Sequence, residues 1–420
     1  MKKKVLIHSI VFSPDGVSTA YLYNDIALRF ANEGFDVTVL TTTPHYNVVE
    51  NELRKQPLKA KLGGVYYESD FNGIKVLHVP QKKFQSFFLR VAGFVYWHFL
   101  SLILGLLQKN VSLILSPSPP LTIGLVNVII GFFKNAKVIY NVQEIYPDFL
   151  INQGNLTFKP AIKALKGLER FVYERSDAVT TIDSVFYQTI EGRFTDKSKL
   201  HIIPNFVDTE IYRPLHEGSA SIDHELFPPK QGVLKLMYAG NIGHAQDWEP
   251  LIAVARELRE LPVEFWVIGE GVMKVRLEED IKLYRLQNIH LIPYQSREQM
   301  PALIAYADLH FIFMSPQMDG QGFPSKVYTI MACAKPMLVI SGKNTPLNNF
   351  LKGSDAAILI EADTLAEKTT LLTANLKDVL NDPTKLNRLA SNGYETILKT
   401  YTKEAVTKQY VDLVNEVLNK

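Results

Sequence analysis

The sequence predicts an α/β protein built from two doubly wound parallel sheets that face a cleft. Three observations carry this. Short apolar runs of strand type alternate with segments of helical period, the pattern of a parallel sheet covered by helices. The alternation restarts near residue 233. The chain has 420 residues, which suits two domains of about 200 residues each better than one core. Hydrophobic residues make up 47% and charged residues 21%, enough apolar material for two cores and no mark of disorder.

In the first half, residues 5–11 form a continuous apolar run, as expected of a strand covered on both faces. The loop Pro14-Asp-Gly16 follows, then a helix from Ser18, read as its cap, to about Asn32. Gly34 closes it, and 36–41 is the second strand. Further strands are expected at 74–79, 111–116, 137–141, 178–182 and 200–203, with helices at 84–107, 121–133, 160–175 and 184–192. The start, Met1-Lys-Lys-Lys and an apolar run, imitates a signal peptide. It contains His8 and ends at Ser13-Pro-Asp-Gly, so it reads as a buried first strand.

The segment 206–232 is irregular and contains Pro214, Gly218, Pro228 and Pro229, which marks it as a linker. Domain boundaries are therefore expected at 1–205 and 233–400. In the second half, strands are expected at 235–239, 263–268, 289–291, 309–313, 336–340 and 357–360. Helices fit at 247–260, 273–285, 297–306, 325–334, 364–380 and 384–399. The last segment, 401–420, carries Val406, Tyr410, Leu413, Val414 and Val417 on one helical face, able to pack back on the first domain.

Charge is uneven. Residues 1–205 carry a net +7 and residues 206–420 a net −5. A basic first half suits an acidic ligand or an anionic membrane surface. No stripe of interleaved basic and aromatic residues stands out, so no nucleic-acid partner is expected. The single cysteine, Cys333, excludes an internal disulfide and a cysteine-based zinc site. The histidines show no pairing at ligand spacing, and the expectation is metal-independent ligand binding without a cofactor.

The most informative stretch is Asp319-Gly-Gln-Gly-Phe-Pro-Ser-Lys326 and the helix after it. A lysine in a first turn is locally unfavourable, because that helix end already carries partial positive charge. The conflict disappears if an anion sits there, gripped by Lys326, the helix start at Ser325 and a close-approaching glycine backbone. The other reading is a solvated lysine on an ordinary helix. Ligands of open α/β sheets bind beyond the carboxyl ends of the strands, so the strand-end loops matter most.

Those loops carry a resemblance. Gly240-Asn-Ile-Gly243, Val267-Ile-Gly-Glu-Gly271 and Gly322-Phe-Pro-Ser-Lys326 look like the donor half of family 4 retaining glycosyltransferases of the GT-B fold, with two Rossmann-like domains. Ile203-Pro-Asn-Phe-Val-Asp208 is similar to that family's linker motif, with Phe206 where a glycine is usual. Gly16-Val-Ser-Thr19 resembles its first-strand glycine loop, and Leu168 to Ala178 its helix leading into a strand. The Pro-Ser-Lys form, with Glu144-Ile-Tyr-Pro-Asp148, resembles members that build bacterial surface polysaccharides. The family usually has two glutamates where this chain has Gln321 and Thr329. The resemblance implies contacts of the first with the sugar and of the second with the ribose. Gln321 and Thr329 retain hydrogen-bonding capacity but no charge.

The resemblance implies transfer of a sugar from a nucleotide-diphosphate donor, with uridine and an N-acetylhexosamine as the guess. Retention of configuration is implied as well; a lipid-linked acceptor, such as a sugar on a polyprenyl diphosphate, or a saccharide is expected from the basic first half and the apolar run 84–107. Breaking the sugar–phosphate bond builds charge on the distal phosphate, and its stabilisation falls to Lys326, Ser325 and the amides of the 240–243 turn. Gly16, Gly240, Asn241, Gly243, Gln321, Gly322, Phe323 and Thr329 complete the expected donor contacts. Glu270 reads either as a nucleotide contact or as an exposed loop carboxylate. Tyr294 reads either as a platform near the base or as core. Glu144 is the acceptor-side carboxylate, able to orient or deprotonate an acceptor hydroxyl, or else a cap of the loop before Pro147. His244 reads as solvated rather than catalytic. A nonhydrolysing sugar-nucleotide epimerase and an inactive nucleotide-sugar binding partner are the rival readings.

The run 84–107 is rich in Phe, Leu and Val, with Tyr96 and Trp97, and Arg90, His98 and Ser101 interrupt it. The part 91–107 is at the short edge for a bilayer span. Lys82, Lys83 and Arg90 beside aromatics favour a helix lying in a membrane interface over simple burial. The expected location is the cytoplasm, peripheral on the inner face of the cell membrane.

Overall fold

A computed structural model of the chain describes residues 2–48, 50–81, 86–215, 222–318 and 323–420. It comprises two compact units, Met1–Asn205 with Lys403–Lys420, and Phe206–Thr402.

The first unit is built on nine strands: β1 (Lys4–His8), β2 (Asp36–Thr42), β3 (Lys59–Lys61), β4 (Tyr66–Phe71), β5 (Ile74–Val79), β6 (Val111–Pro117), β7 (Lys137–Val142), β8 (Ala178–Thr181) and β9 (Leu200–Ile202). Their order across the sheet is β3-β4-β5-β2-β1-β6-β7-β8-β9. The central strand β1 has Val5, Leu6 and Ile7 at 0% exposure, which is why its sequence is a run rather than an alternation. From β5 to β9 the pairs are parallel. The β3–β4 and β4–β5 pairs are antiparallel, an edge that the strand–helix alternation did not predict. Its cause is the Asn72-Gly73 turn, both residues at positive φ (50° and 84°), the geometry of a two-residue hairpin.

The first helix runs over Ser18–Asn32, but its cap is Val17, without a side-chain hydrogen bond. Ser18 is therefore the first helical residue rather than the cap. Gly34 takes φ 88° just past the end, as expected for a closing glycine. The C-terminal helix Lys403–Asn419 buries Val406, Tyr410, Leu413, Val414 and Val417 within this unit, against the first helix and β6.

The helix Phe87–Leu107 buries Trp97, Leu100, Ser101 and Leu104. Phe88, Leu89, Val91, Val95, Tyr96, Phe99 and Leu107 are exposed. It packs on the helix Leu121–Lys134, whose Phe132 and Phe133 are exposed as well. The helix is long and apolar enough to cross a membrane by length and composition alone, and 28% of its best window is buried. Lys82 and Lys83 lie outside the described residues.

The second unit has six parallel strands: β10 (Leu234–Ala239), β11 (Val263–Ile268), β12 (Ile289–Ile292), β13 (Leu309–Phe313), β14 (Met337–Ile340) and β15 (Ala357–Ile360). Their order is β12-β11-β10-β13-β14-β15, so the winding reverses between β10 and β13. The crevice beyond the carboxyl ends of those two strands is where such sheets receive ligands. The described parts of the segment expected as a linker, 206–215 and 222–232, are grouped with this unit. Val207 bridges Thr402, Phe227 is 1% exposed against Trp266 and Tyr306, and Tyr306 donates to Pro228 O at 2.9 Å. Its aromatic and apolar residues outweigh the prolines that suggested a linker.

Candidate functional site

The strand β10 brings Tyr238 and then Gly240 to the reversal point of the second sheet. Gly240 has φ 148°, and a Cβ there would stand 2.7 Å from Lys326 Nζ and 3.4 Å from its Cε. Only glycine lets the lysine lie this close. Gly269, with φ 142° after β11, holds its backbone so near that a Cβ would stand 2.0 Å from Gly240 O. Two strand-end loops thus touch backbone to backbone. Gly240 N donates to Ile268 O at 2.9 Å and Ile242 N to Glu270 O at 2.8 Å, which staples the 240–243 turn to the 269–271 loop.

Two aromatic side chains hold the turn from beneath. Tyr238 donates its hydroxyl to Asn241 O at 2.7 Å, and Trp248 donates its indole N–H to Gly243 O at 3.1 Å. Their rings meet edge to face, with centroids 5.1 Å apart. With these carbonyls drawn inward, the amides of Asn241, Gly243 and His244 donate to no protein acceptor among the described residues.

Lys326 is the first residue of the short helix Lys326–Ala332. Its ammonium sits 3.6 Å from the centroid of the Tyr238 ring. Among the described residues no carboxylate pairs with it, and burial alone lowers its pKa from 10.5 to about 7. A half-desolvated amine over an aromatic face, beside amides without acceptors, is an arrangement an anion completes. The helix start contributes less than its sequence suggests. Val327 N donates to Pro324 O at 3.0 Å and Tyr328 N to Ser325 O at 3.2 Å, so tightened bonds of 3₁₀ type occupy first-turn amides. Ser325 itself is the exposed cap.

The remaining expected donor residues divide. Asn241 and Gly243 share the turn with Gly240, and Asn241 is exposed. Glu270 gives its carbonyl to the turn, while its carboxylate faces solvent and pairs with Lys274 at 2.7 Å. Tyr294, 65% exposed just after β12, is not a core residue. Phe323 stacks on Tyr328 at 5.0 Å and meets Phe350 edge-on at 5.1 Å. Its ring belongs to an aromatic cluster with Tyr401. Thr329 donates its hydroxyl to Lys326 O at 2.9 Å. Phe323 and Thr329 are thus engaged within and beside their own helix. Gln321 and Gly322 lie outside the described residues.

In the first unit, the strand ends are tightly cross-linked. Asp15, 2% exposed, accepts from the amides of His45 and Tyr46, each at 2.8 Å. Burial raises its pKa against those bonds. Gly16 N donates to Tyr46 O at 3.0 Å, so the glycine's amide is taken by the neighbouring loop and its expected donor contact is not through that group. Asn141, 0% exposed, accepts from Tyr23 at 3.1 Å and from Gln143 at 2.7 Å, and donates to Thr180 at 2.8 Å. Gln143 in turn exchanges bonds with Asn205. Ser118 ties the loop after β6 to the loop after β7, donating to Glu144 O at 3.0 Å. Burial raises the pKa of the Glu144 carboxyl, and a hydrogen bond to Tyr146 partly opposes this. Among the described residues no group of three or more metal-ligating side chains is assembled.

Sequence reading missed Tyr238, Trp248 and Asp15. The first two had a signal: Tyr238 is two residues before a turn glycine and Trp248 five after its last glycine. Asp15 was hidden inside a turn motif that explains an aspartate without burial.

The chain is similar to known proteins over nearly its whole length. Residues 19–205 match the family model described as glycosyl transferase 4-like domain, and residues 223–396 match glycosyl transferases group 1. A relative in Escherichia coli (strain K12), named as the colanic acid biosynthesis glycosyl transferase WcaI, is 24% identical over 97% of this chain and 99% of its own length. Sucrose-phosphate synthase from Thermosynechococcus elongatus superposes with TM-score 0.74 at 13% identity, covering 100% of both chains. HepE from Anabaena, solved in complex with UDP, superposes with TM-score 0.69 at 12% identity, covering 98% of this chain and 100% of its own. These likenesses show a GT-B fold of two Rossmann-like domains. With its two halves matching the two glycosyltransferase family models in order, the chain belongs to the group 1 glycosyltransferases with a glycosyl transferase 4-like first domain.

Proposed function

We propose that this enzyme moves a sugar from a UDP-linked donor, an N-acetylhexosamine in the simplest case, to a lipid-linked or saccharide acceptor. The product serves bacterial surface polysaccharide synthesis. The observation that carries the reading is the Lys326 ammonium against the Gly240 backbone, with no carboxylate partner among the described residues. The name of the E. coli relative and the UDP bound by HepE support the choice of polymer and nucleotide.

In this proposal the diphosphate lies over the 240–243 turn. The amides of Asn241, Gly243 and His244 receive its oxygens, and Lys326 neutralises the charge that grows on the distal phosphate as the glycosidic bond breaks. The lysine takes up a proton as the anion arrives, since the ammonium form is the one a phosphate favours. Asn241 faces the sugar or phosphate, and Tyr294 supplies an exposed ring for the base. The family resemblance gives Gln321 a contact with the sugar. In a retaining reaction the acceptor's proton passes either to the departing phosphate, with Glu144 orienting the hydroxyl, or to Glu144 itself. The enzyme needs no metal ion and no cofactor in this scheme.

The acceptor arrives at a membrane surface. The apolar outer face of Phe87–Leu107, continued by Phe132 and Phe133, is a large exposed patch of the kind that lies in a lipid interface. The enzyme is then peripheral on the cytoplasmic face of the membrane. The test pairs two assays. Release of nucleoside diphosphate from candidate donors is measured with and without a polyprenyl-diphosphate sugar. Acceptor-dependent release from a UDP-sugar is expected, and release without transfer, or interconversion of the donor sugar, counts against the proposal. Sedimentation with anionic vesicles is expected for the wild type and its loss when Lys82, Lys83 and Arg90 become glutamate. Equal sedimentation of both proteins removes the interfacial arm.

A further inference from the structure

We infer that Tyr238 is a positioning residue, whose ring face holds the Lys326 ammonium and whose hydroxyl fixes the 240–243 turn in the geometry that meets a diphosphate. The inference rests on the phosphate-binding reading of Lys326. It adds a residue that the sequence motifs do not point to.

Packing alone does not account for a tyrosine here. The ring is 3% exposed and lies among Trp248 and Phe311, where a phenylalanine or leucine would fill the space. Two features are specific. The hydroxyl donates to Asn241 O at 2.7 Å, and this carbonyl is the one whose inward turn shapes the loop. The ring face lies 3.6 Å from the Lys326 ammonium, the arrangement of a cation over an aromatic quadrupole.

The choice of a ring over a carboxylate has a physical sense. A carboxylate would hold the lysine by an ion pair that an incoming diphosphate must break, and would repel the diphosphate itself. An aromatic face attracts the cation weakly and carries no net charge. It keeps the long side chain from swinging into solvent, so that less rotamer freedom is lost when the anion binds. One side chain thereby sets both halves of the phosphate grip, the amides through its hydroxyl and the cation through its ring.

The experiment measures, by calorimetry, the preference for a nucleoside diphosphate over its own monophosphate. The tightest binder among UDP, GDP and ADP serves as the probe. Lys326→Ala is expected to remove most of this preference. Tyr238→Leu is expected to lower it about tenfold, with monophosphate affinity unchanged. Tyr238→Met repeats the test with a flexible side chain that fills the space without a ring. Tyr238→Phe keeps the ring and loses the hydroxyl, and is expected to keep the part of the preference held through Lys326 while losing the part held through the turn amides. The double variant Tyr238→Leu with Lys326→Ala should fall below Lys326→Ala by no more than Tyr238→Phe falls below the wild type, since the ring and the lysine share one contact and only the hydroxyl acts apart.

If Lys326→Ala keeps the preference, the phosphate reading of the lysine fails. If Lys326→Ala removes it while the Leu and Met variants keep it, this inference alone fails. Equal losses of diphosphate and monophosphate affinity in the Tyr238 variants would mark a merely structural tyrosine and overturn it too.

Discussion

The strand-end loops of the two units differ in how completely they satisfy their own polar groups. In the first unit, Asp15 has the amides of His45 and Tyr46, and Asn141 has Tyr23, Gln143 and Thr180. In the second unit, Lys326 has only an aromatic face, and the amides of Asn241, Gly243 and His244 have no acceptor among the described residues. A closed network rigidifies a loop and leaves little to bind with. An open one costs stability until a ligand completes it, and the proposal assigns that part to an anion here. The contrast explains why the second unit supplies the sharper site although both sheets place glycine turns at comparable positions.

Breaking the open site should have the largest effect. Lys326→Ala is expected to lower turnover at least about a hundredfold with the fold intact, the usual result of removing one preorganised charge-stabilising donor. Steady-state rates with a circular dichroism control check this. Glu144→Gln tests whether the first unit contributes chemistry as well as framework. A general base at that position predicts a loss of about a hundredfold. The wild-type acid limb should lie above the usual glutamate range, because burial raises this carboxyl, and should disappear in the variant. A rate unchanged by Glu144→Gln would make the first unit's loops purely structural.

Gly269→Ala probes the backbone contact. The added methyl would stand 2.0 Å from Gly240 O on a backbone with φ 142°, so the turn must shift. Donor affinity is expected to fall about tenfold or more, with a stability loss of about 1–3 kcal/mol, as such strain commonly costs. Titration and denaturant melts read both.

Donor affinity should depend on pH in a stated direction. The lysine pKa in the folded protein, about 7, lies below its ordinary 10.5. Below pH 7 the ammonium is already charged before the diphosphate arrives. Above it the protein must take up a proton on binding, so affinity falls as pH rises, by at most about tenfold per unit. The dependence should vanish in Lys326→Ala. Stability without ligand runs the other way. The unfolded lysine holds more protons than the folded one between about pH 7 and 10.5, so this group makes the protein more stable as pH climbs through that window. The smallest functional effect belongs to the closed network. Asn141→Ala should cost about 1–3 kcal/mol of stability by stranding buried partners, with donor affinity unchanged.

Much of this was legible in the sequence. The parallel cores, the turn glycines at 240, 243, 269 and 271, and the lysine after Pro-Ser follow from local chemistry that one chain segment carries by itself. What escaped depends on encounters between distant segments. The ring that receives Lys326 comes from Tyr238, 88 residues earlier, and a tyrosine in a strand looks the same whether it packs or positions. The first-turn amides of Lys326–Ala332 were expected to face a ligand, but two of them turn to Pro324 and Ser325. Phe323 was expected at the donor and joins Tyr328 and Phe350, because three aromatics within reach outcompete solvent. The hairpin edge was overlooked for a different reason. Asn72-Gly73 is a local hairpin signal, but the strand–helix alternation on either side of it predicts parallel pairing throughout.

A crystal structure of the enzyme with a bound nucleotide-sugar tests the central claim most directly. The account predicts the distal phosphate over the 240–243 turn, within about 3 Å of Lys326 Nζ, and oxygens facing the amides of Asn241 and Gly243. A donor bound elsewhere on the second unit, with Lys326 still resting on Tyr238 and the turn untouched, would contradict it.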